Sequence, residues 1–285
     1  ERTSMLMSTF SGPATRVVLV VSFGMAALLQ SQAALAALPI QHWTQASGAQ
    51  VYLVESPGIP MLDVQIDFDA GDRRDPPDKA GLASMVSNMS AKGVAAKTGS
   101  PALDENQLSE AWADLGANFS VRSGNDRMSF SMRSLSYPDL LPKAVALAAR
   151  QMGEPSFPEA IWLRERERIG AAIREANTRP ATLAAKAFAA AVYGDHPYGF
   201  ETTETTMART SVADMRQFYA RFIQPCRAKV SVVGDVTRAQ ADVMVTSLLA
   251  RLPQSEAASC AALSPVAEVA ALIAPVTESI AFESA

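Results

Sequence analysis

The sequence predicts an α+β fold, a mixed and largely antiparallel sheet with helices packed on one side, and three observations carry that reading. Gln50–Glu55 and Met61–Asp69 are two apolar-rich strands around a Ser56-Pro57-Gly58-Ile59-Pro60 break. Phe119–Arg122 and Met128–Arg133 flank Ser123-Gly124-Asn125-Asp126, a second hairpin signal. A long stretch of helical spacing then separates this hairpin from one last short apolar strand, Lys229–Val233. Strands and helices in this mixed order place helices on one face of a sheet.

Taken in order, the chain opens on VVLVVSFGMAALL at residues 17–29, an uncharged apolar run after Arg16 that leads to Ala34-Leu35-Ala36. This is the three-part pattern of a secretory signal peptide with an A-x-A cleavage site. The run falls short of the ~20 apolar residues that span a bilayer, so no transmembrane segment is expected after cleavage. Residues 1–36 are thus expected to be a leader with its upstream residues, and 37–253 one domain. After the first strand pair, Gly71–Pro77 is a polar loop, and Lys79–Lys92 has helical spacing through Leu82, Met85, Val86 and Met89.

Asp104–Leu115 is a second helix, with Asp104 as cap, Gln107 three residues on and Gly116 at its close. Past the hairpin, Leu140–Met152, Pro158–Ala176, Ala181–Val192 and Ser211–Phe222 are helical. Gly234-Asp235-Val236-Thr237 leads into a last helix ending near Leu252. Residues 254–285, mostly Ala, Ser, Pro and Val, are expected to be a linker and the start of a second domain, with a strand beginning at Ser279–Phe282.

The formal net charge of −4 leaves no basic footprint for nucleic acid. Two histidines, His42 and His196, and two cysteines, Cys226 and Cys260, make a thin inventory for a zinc site. Export permits a disulfide. Whether Cys226 and Cys260 pair stays open, because two cysteines fix nothing without geometry.

The helix around residues 79–92 reads Ala80-Gly81-Leu82-Ala83-Ser84-Met85-Val86-Ser87-Asn88-Met89-Ser90-Ala91-Lys92-Gly93. It resembles the active-site helix of the pitrilysin/insulinase family of zinc peptidases, Gly-Leu-Ala-His-x-x-Glu-His-Met-x-x-Lys-Gly. The frame matches at Gly81, Leu82, Ala83, Met89, Lys92 and Gly93. Further matches follow in the family's order: Gly71-Asp72-Arg73, Leu115-Gly116-Ala117, Glu165-Arg166-Glu167, Tyr193-Gly194-Asp195-His196-Pro197-Tyr198-Gly199, Phe218-Tyr219 and Val232-Val233-Gly234-Asp235-Val236. Together they cover about residues 45–253.

The resemblance implies zinc on two histidines and a distant glutamate, with a further glutamate as general base. Here Ser84 and Asn88 stand for the histidines, Ser87 for the base, and Ala171 for the third ligand in a Glu-Glu-Ile-Arg pattern matched by Ala171-Ala172-Ile173-Arg174. None of these is a usual zinc ligand or a base near neutral pH. A rescued site would need Glu167 or Glu175 with His42 or His196. Ser84 or Ser87 as nucleophile lacks both a Gly-x-Ser-x-Gly elbow and a Ser-x-x-Lys motif. The run Arg164–Arg168 reads as a solvated face with weak ion pairs, and His196 as a packed loop residue.

The resemblance also implies that a peptide adds as an extra strand beside Asn118, Phe119, Ser120 and Val121; the rest of the molecule covering this strand is the competing reading. The expectation is a non-catalytic family subunit with no cofactor of its own. It would be exported to a bacterial periplasm, partnered by an active zinc-peptidase subunit that holds the zinc, and would take peptide substrates. Such subunits carry a substrate-binding arginine and tyrosine in a second domain, expected outside this chain. The alternatives are a zinc-dependent metalloendopeptidase with relocated ligands and a structural scaffold subunit; resemblance of fold does not choose among them.

Overall fold

The computed structural model describes residues 39–97, 99–253, 260 and 262–281. The leader expected at 1–36, and 254–259, 261 and 282–285 of the expected linker, lie outside the described residues. Among those described, a six-stranded sheet runs in the order β1-β2-β8-β3-β7-β6. The strands are β1 (Gln41–Thr44), β2 (Gln50–Glu55), β3 (Met61–Phe68), β6 (Asn118–Ser123), β7 (Met128–Leu135) and β8 (Lys229–Gly234). A two-residue ladder joins β4 (Gly93–Val94) to β5 (Leu103–Asp104). Within the large sheet β2 and β8 pair in parallel and every other neighbour is antiparallel.

Register follows from alternation. On β3, Leu62, Val64, Ile66 and Phe68 are buried while Asp63, Gln65 and Asp67 lie on the other face. Val51 and Leu53, Val230 and Val232, and Met128, Phe130 and Met132 repeat the pattern on the neighbouring strands. A slip of one residue would turn each of these apolar sets to water. The helices are α1 (Leu82–Met89), α2 (Glu105–Asp114), α3 (Leu141–Gly153), α4 (Glu159–Ala176), α5 (Pro180–Tyr193), α6 (Glu204–Arg209), α7 (Val212–Phe222) and α8 (Arg238–Leu249), and all but α5, which buries no residue, add side chains to the core on the buried face. Helix α1 packs on α7 and α3 on α8, enclosing a core that includes Met89, Trp162, Met215 and Leu248. Two of the large polar side chains taken into it are partnered: the Trp162 indole donates to the Thr210 carbonyl at 3.2 Å and the Tyr219 hydroxyl to the Met152 carbonyl at 2.6 Å.

The cap expected at Asp104 is present in full. Gln107 N–H donates to Asp104 Oδ1 at 2.9 Å, and Asp104 N–H donates to Gln107 Oε1 at 3.0 Å. Asp104→Ala is expected to cost about 1 kcal/mol in urea unfolding and Asp104→Asn much less; an unchanged midpoint for the alanine variant would contradict this reading.

The structure differs from expectation in three respects. The helix expected from Lys79 starts at Leu82, because Pro77–Lys79 closes a separate 3-10 turn and Gly81 adopts φ +95°, outside helical space. A Cβ at Gly81 would also sit 2.6 Å from Thr202 Oγ1. No strand forms over Ser279–Ala281, which pairs with no strand among the described residues; Phe282 lies outside them. Strands β1, β4 and β5 and helix α6 are additional elements.

The two cysteines do pair. Cys226 and Cys260 form a disulfide across 34 residues. Beyond it, Leu263 packs against the core, and the Ser264 and Ala267 carbonyls meet Arg74 Nη1 at 2.6 Å and His196 Nε2 at 2.7 Å. This segment, without regular structure, is fastened at three places.

Candidate functional site

Helix α1 presents Ser84, Ser87 and Asn88 at i, i+3 and i+4, the spacing that stacks side chains on one face. The loop before it is pressed onto the β6–β7 turn: Asp72 N–H donates to Gly124 O at 3.0 Å and Arg73 N–H to Asn125 O at 2.9 Å. Gly71 permits that approach, since a Cβ there would lie 2.4 Å from both carbonyls. The Asp72 carboxylate is thereby placed between two hydroxyls, accepting from Ser84 Oγ at 3.1 Å and Ser123 Oγ at 3.3 Å. Burial raises Asp72 above the usual carboxylate range, against the lowering effect of these two bonds. One carboxyl group so ties the α1 face to the end of β6.

The other two positions on that face are turned inward chemically. Ser87 Oγ donates to its own helix at Ser84 O, 2.9 Å away, a local bond that occupies the hydroxyl. Asn88 Oδ1 is buried without a hydrogen-bond partner among the described residues. Ala171 is exposed on α4 and carries no donor atom. Zinc takes thiolate, imidazole and carboxylate ligands, and Ser84, Ser87, Asn88 and Ala171 supply none of them. No cluster of three His, Cys, Asp or Glu able to hold a metal occurs among the described residues. The residues do not fit the metal.

The candidates for rescue are dispersed. His42 sits on β1, at the sheet edge opposite β6, with its ring stacked on Tyr52 at 4.5 Å. Glu175 pairs with Arg179 and Glu167 is exposed. His196 is a structural residue with partners that a loop sequence does not reveal. Its Nδ1 accepts from Tyr198 N–H at 3.1 Å, which leaves Nε2–H to donate to Ala267 O. Beside it the Tyr198 hydroxyl donates to Asp126, and Arg73 pairs with Asp126 at 3.2 Å and Asp69 at 3.0 Å, fixing two loops to the hairpin turn.

The run Arg164–Arg168 departs from a uniformly solvated face. Glu165 is only 8% exposed. Hydrogen bonds from Arg168 at 2.8 and 3.0 Å hold its carboxyl below the usual range against the cost of burial, with the charges of Arg168, Lys92 and Arg164 adding to the effect. The alternation of charge hid the one member that faces inward toward Lys92.

Strand β6 ends the sheet. Asn118, Phe119, Ser120 and Val121 pair with β7 on one side, and no backbone hydrogen bond joins their other side to another described element. Phe119 stacks on Trp112 at 5.4 Å with Val121 partly buried beyond it, while Asn118 and Arg122 are exposed on the open face. Helix α1 packs alongside this strand. An extended chain could pair with such an edge through its backbone alone.

Comparison with known proteins agrees with this architecture. Residues 50–206 match the family described as insulinase, peptidase family M16, and residues 209–280 match the M16 peptidase inactive domain. The chain is 20% identical over 200 residues to the uncharacterized zinc protease YmxG of Bacillus subtilis, covering 70% of this chain and 47% of YmxG. A peptidase M16 inactive domain from Pseudomonas fluorescens superposes with a TM-score of 0.74 at 28% identity, over 82% of this chain and 54% of that one. The periplasmic protease PqqL of Escherichia coli has the same fold, with a TM-score of 0.65 at 18% identity over 82% of this chain and 26% of PqqL. The chain spans about half the length of the curated relatives it matches. No described helix is long and apolar enough to cross a membrane. From residue 50 to 206 the match covers more than half the sequence, and the chain belongs to the insulinase family of M16 peptidases.

Proposed function

We propose that this chain is a non-catalytic M16 subunit that works beside an active zinc peptidase of the same family in degrading or processing peptides. The observation that carries the reading is the state of the α1 face. Its helical frame is kept, yet Ser84 is bonded to Asp72, Ser87 to its own helix, and no side chain of the set is a zinc donor or a base. Zinc and the water-activating glutamate then belong to the partner subunit. The contribution of this chain is the open edge at Asn118, Phe119, Ser120 and Val121, where backbone pairing needs no particular side chain. Export to a bacterial periplasm is supported by the leader pattern at 17–36, by the Cys226–Cys260 disulfide, and by the periplasmic location of the structurally similar PqqL.

The test is reconstitution of the full-length protein with a family member from the same genome that retains His-x-x-Glu-His. Alone, the protein is expected to hold no stoichiometric zinc by elemental analysis and to cleave no peptide. Mixed, the two should co-elute in gel filtration and the peptidase rate should rise. Absence of both a complex and a rate gain would remove the partner role. Stoichiometric zinc with chelator-sensitive cleavage by this chain alone would make it the enzyme.

A further inference from the structure

The edge strand β6 has two unlike faces, and their chemistry selects among peptides. Successive side chains of a strand point to opposite sides, and an added strand inherits the same alternation. On the helix-covered side lie Phe119 and Val121, both packed against the core. On the open side lie Asn118, Ser120 and Arg122, which border a shallow hollow of about 780 Å³ floored by the hydroxyl-bearing Ser129, Ser131 and Ser231.

Arg122 is the distinctive member. Its neighbours on this face are committed: Arg133 grips Asp63 through two bonds of 2.7 and 2.9 Å, and Arg127 lies 3.5 Å from Asp67. The Arg122 side chain makes no hydrogen bond or ion pair among the described residues. The strip from β8 to β6 carries Lys229, Arg122, Arg127 and Arg133 against Asp63 and Asp67. With Arg133 and Arg127 matched by Asp63 and Asp67, and Lys229 three strands away on β8, Arg122 is, among the described residues, the unmatched cation on this face at the edge where a peptide would pair.

We infer that the peptide taken at this edge is acidic and alternating, with carboxylate side chains on the open side beside Arg122 and apolar side chains on the other side beside Phe119 and Val121. This rests on the edge-strand reading proposed above. Opposite charges across a strand pair attract and like charges repel, so exchanging Glu for Lys converts one attractive contact into a repulsive one. The contact is exposed, so the preference is expected to shrink as salt rises.

The probes are fluorescein-labelled nine-residue peptides read by anisotropy against the full-length protein. One alternates valine and threonine with glutamate, one replaces every glutamate by lysine, and one carries the glutamate peptide's composition in non-alternating order. The alternating glutamate peptide is expected to bind about fivefold or more tighter than the lysine peptide at low salt, and tighter than the scrambled one. Arg122→Glu should invert the preference for charge, and Arg122→Gln should abolish it without inverting it. Arg122 is an exposed side chain, so both variants should keep the circular dichroism of the parent. Binding of the peptides with no preference, or a preference untouched by either Arg122 variant, would overturn the inference while leaving the edge in use. Binding of none of the three would remove the edge-strand reading itself.

Discussion

Cys226→Ser is expected to lower the unfolding free energy by about 3 to 4 kcal/mol, the chain-entropy value for a closed loop of this length. The bond spans 34 residues, and the loop it closes contains β8 and α8. Strand β8 lies between β2 and β3, and α8 packs on α3, so both belong to the cooperative core. Cross-linking removes the open conformations of that loop from the unfolded ensemble, and removing the link restores them. Denaturant curves should therefore place Cys226→Ser, Cys260→Ser, their double variant and the reduced wild-type protein at one common midpoint, well below that of the oxidised protein. A double variant markedly weaker than either single one would show that the cysteines act separately. The same set should differ in limited proteolysis, because without the bond the backbone around Ser264 and Ala267 keeps the contacts of Leu263, Arg74 and His196 but loses its covalent tie.

That staple illustrates where the sequence was legible and where it was not. Periodicity is local, so the alternation along β3 and the reciprocal cap at Asp104 and Gln107 could be read directly, and the structure has both. The four residues of β1 and the six of α6 are too short to establish a period. The start of α1 depends on one left-handed glycine, Gly81, which spacing alone does not reveal. At the site the frame around Ser84, Ser87 and Asn88 was legible because helical spacing fixes a face. The Asp72 contact was not, because it exists only once residues 71–75 are seated on a turn some fifty positions away in sequence. The inward turn of Glu165 was hidden for the same reason: its neighbour Lys92 comes from another element.

Asp75→Ala is expected to cost about 2 to 4 kcal/mol, because it leaves two donors of the first turn of α1 without partners. Asp75 is 6% exposed, and its carboxyl oxygens accept from Gly81 N–H at 2.8 Å and from Ala83 N–H at 2.9 Å. A buried N–H that loses its acceptor costs about 1 to 3 kcal/mol. The same residue sets a pH dependence. Burial pushes the Asp75 carboxyl from its ordinary 3.8 up to about 7, against the lowering effect of the Ala83 and Gly81 N–H groups, and the charge of Asp72 adds to the rise. The folded chain therefore keeps a proton that the unfolded chain releases. The stability this group contributes is fully present below about pH 4 and is lost as pH rises through 7, a change on the order of a few kcal/mol. Asp69 and Asp214, held low by Arg74 and Arg73 and by Lys79 and Ser211 against burial, run in the opposite sense, so the whole-protein curve mixes both trends. Asp75→Asn separates them, since an amide keeps one acceptor and does not titrate. Unfolding free energies measured from pH 4 to 8 should converge on one slope outside this window. Within it, wild type should lose stability relative to Asp75→Asn as pH rises; parallel curves would show that Asp75 titrates as an ordinary carboxylate and that the cap holding Ser84, Ser87 and Asn88 in place is charged throughout.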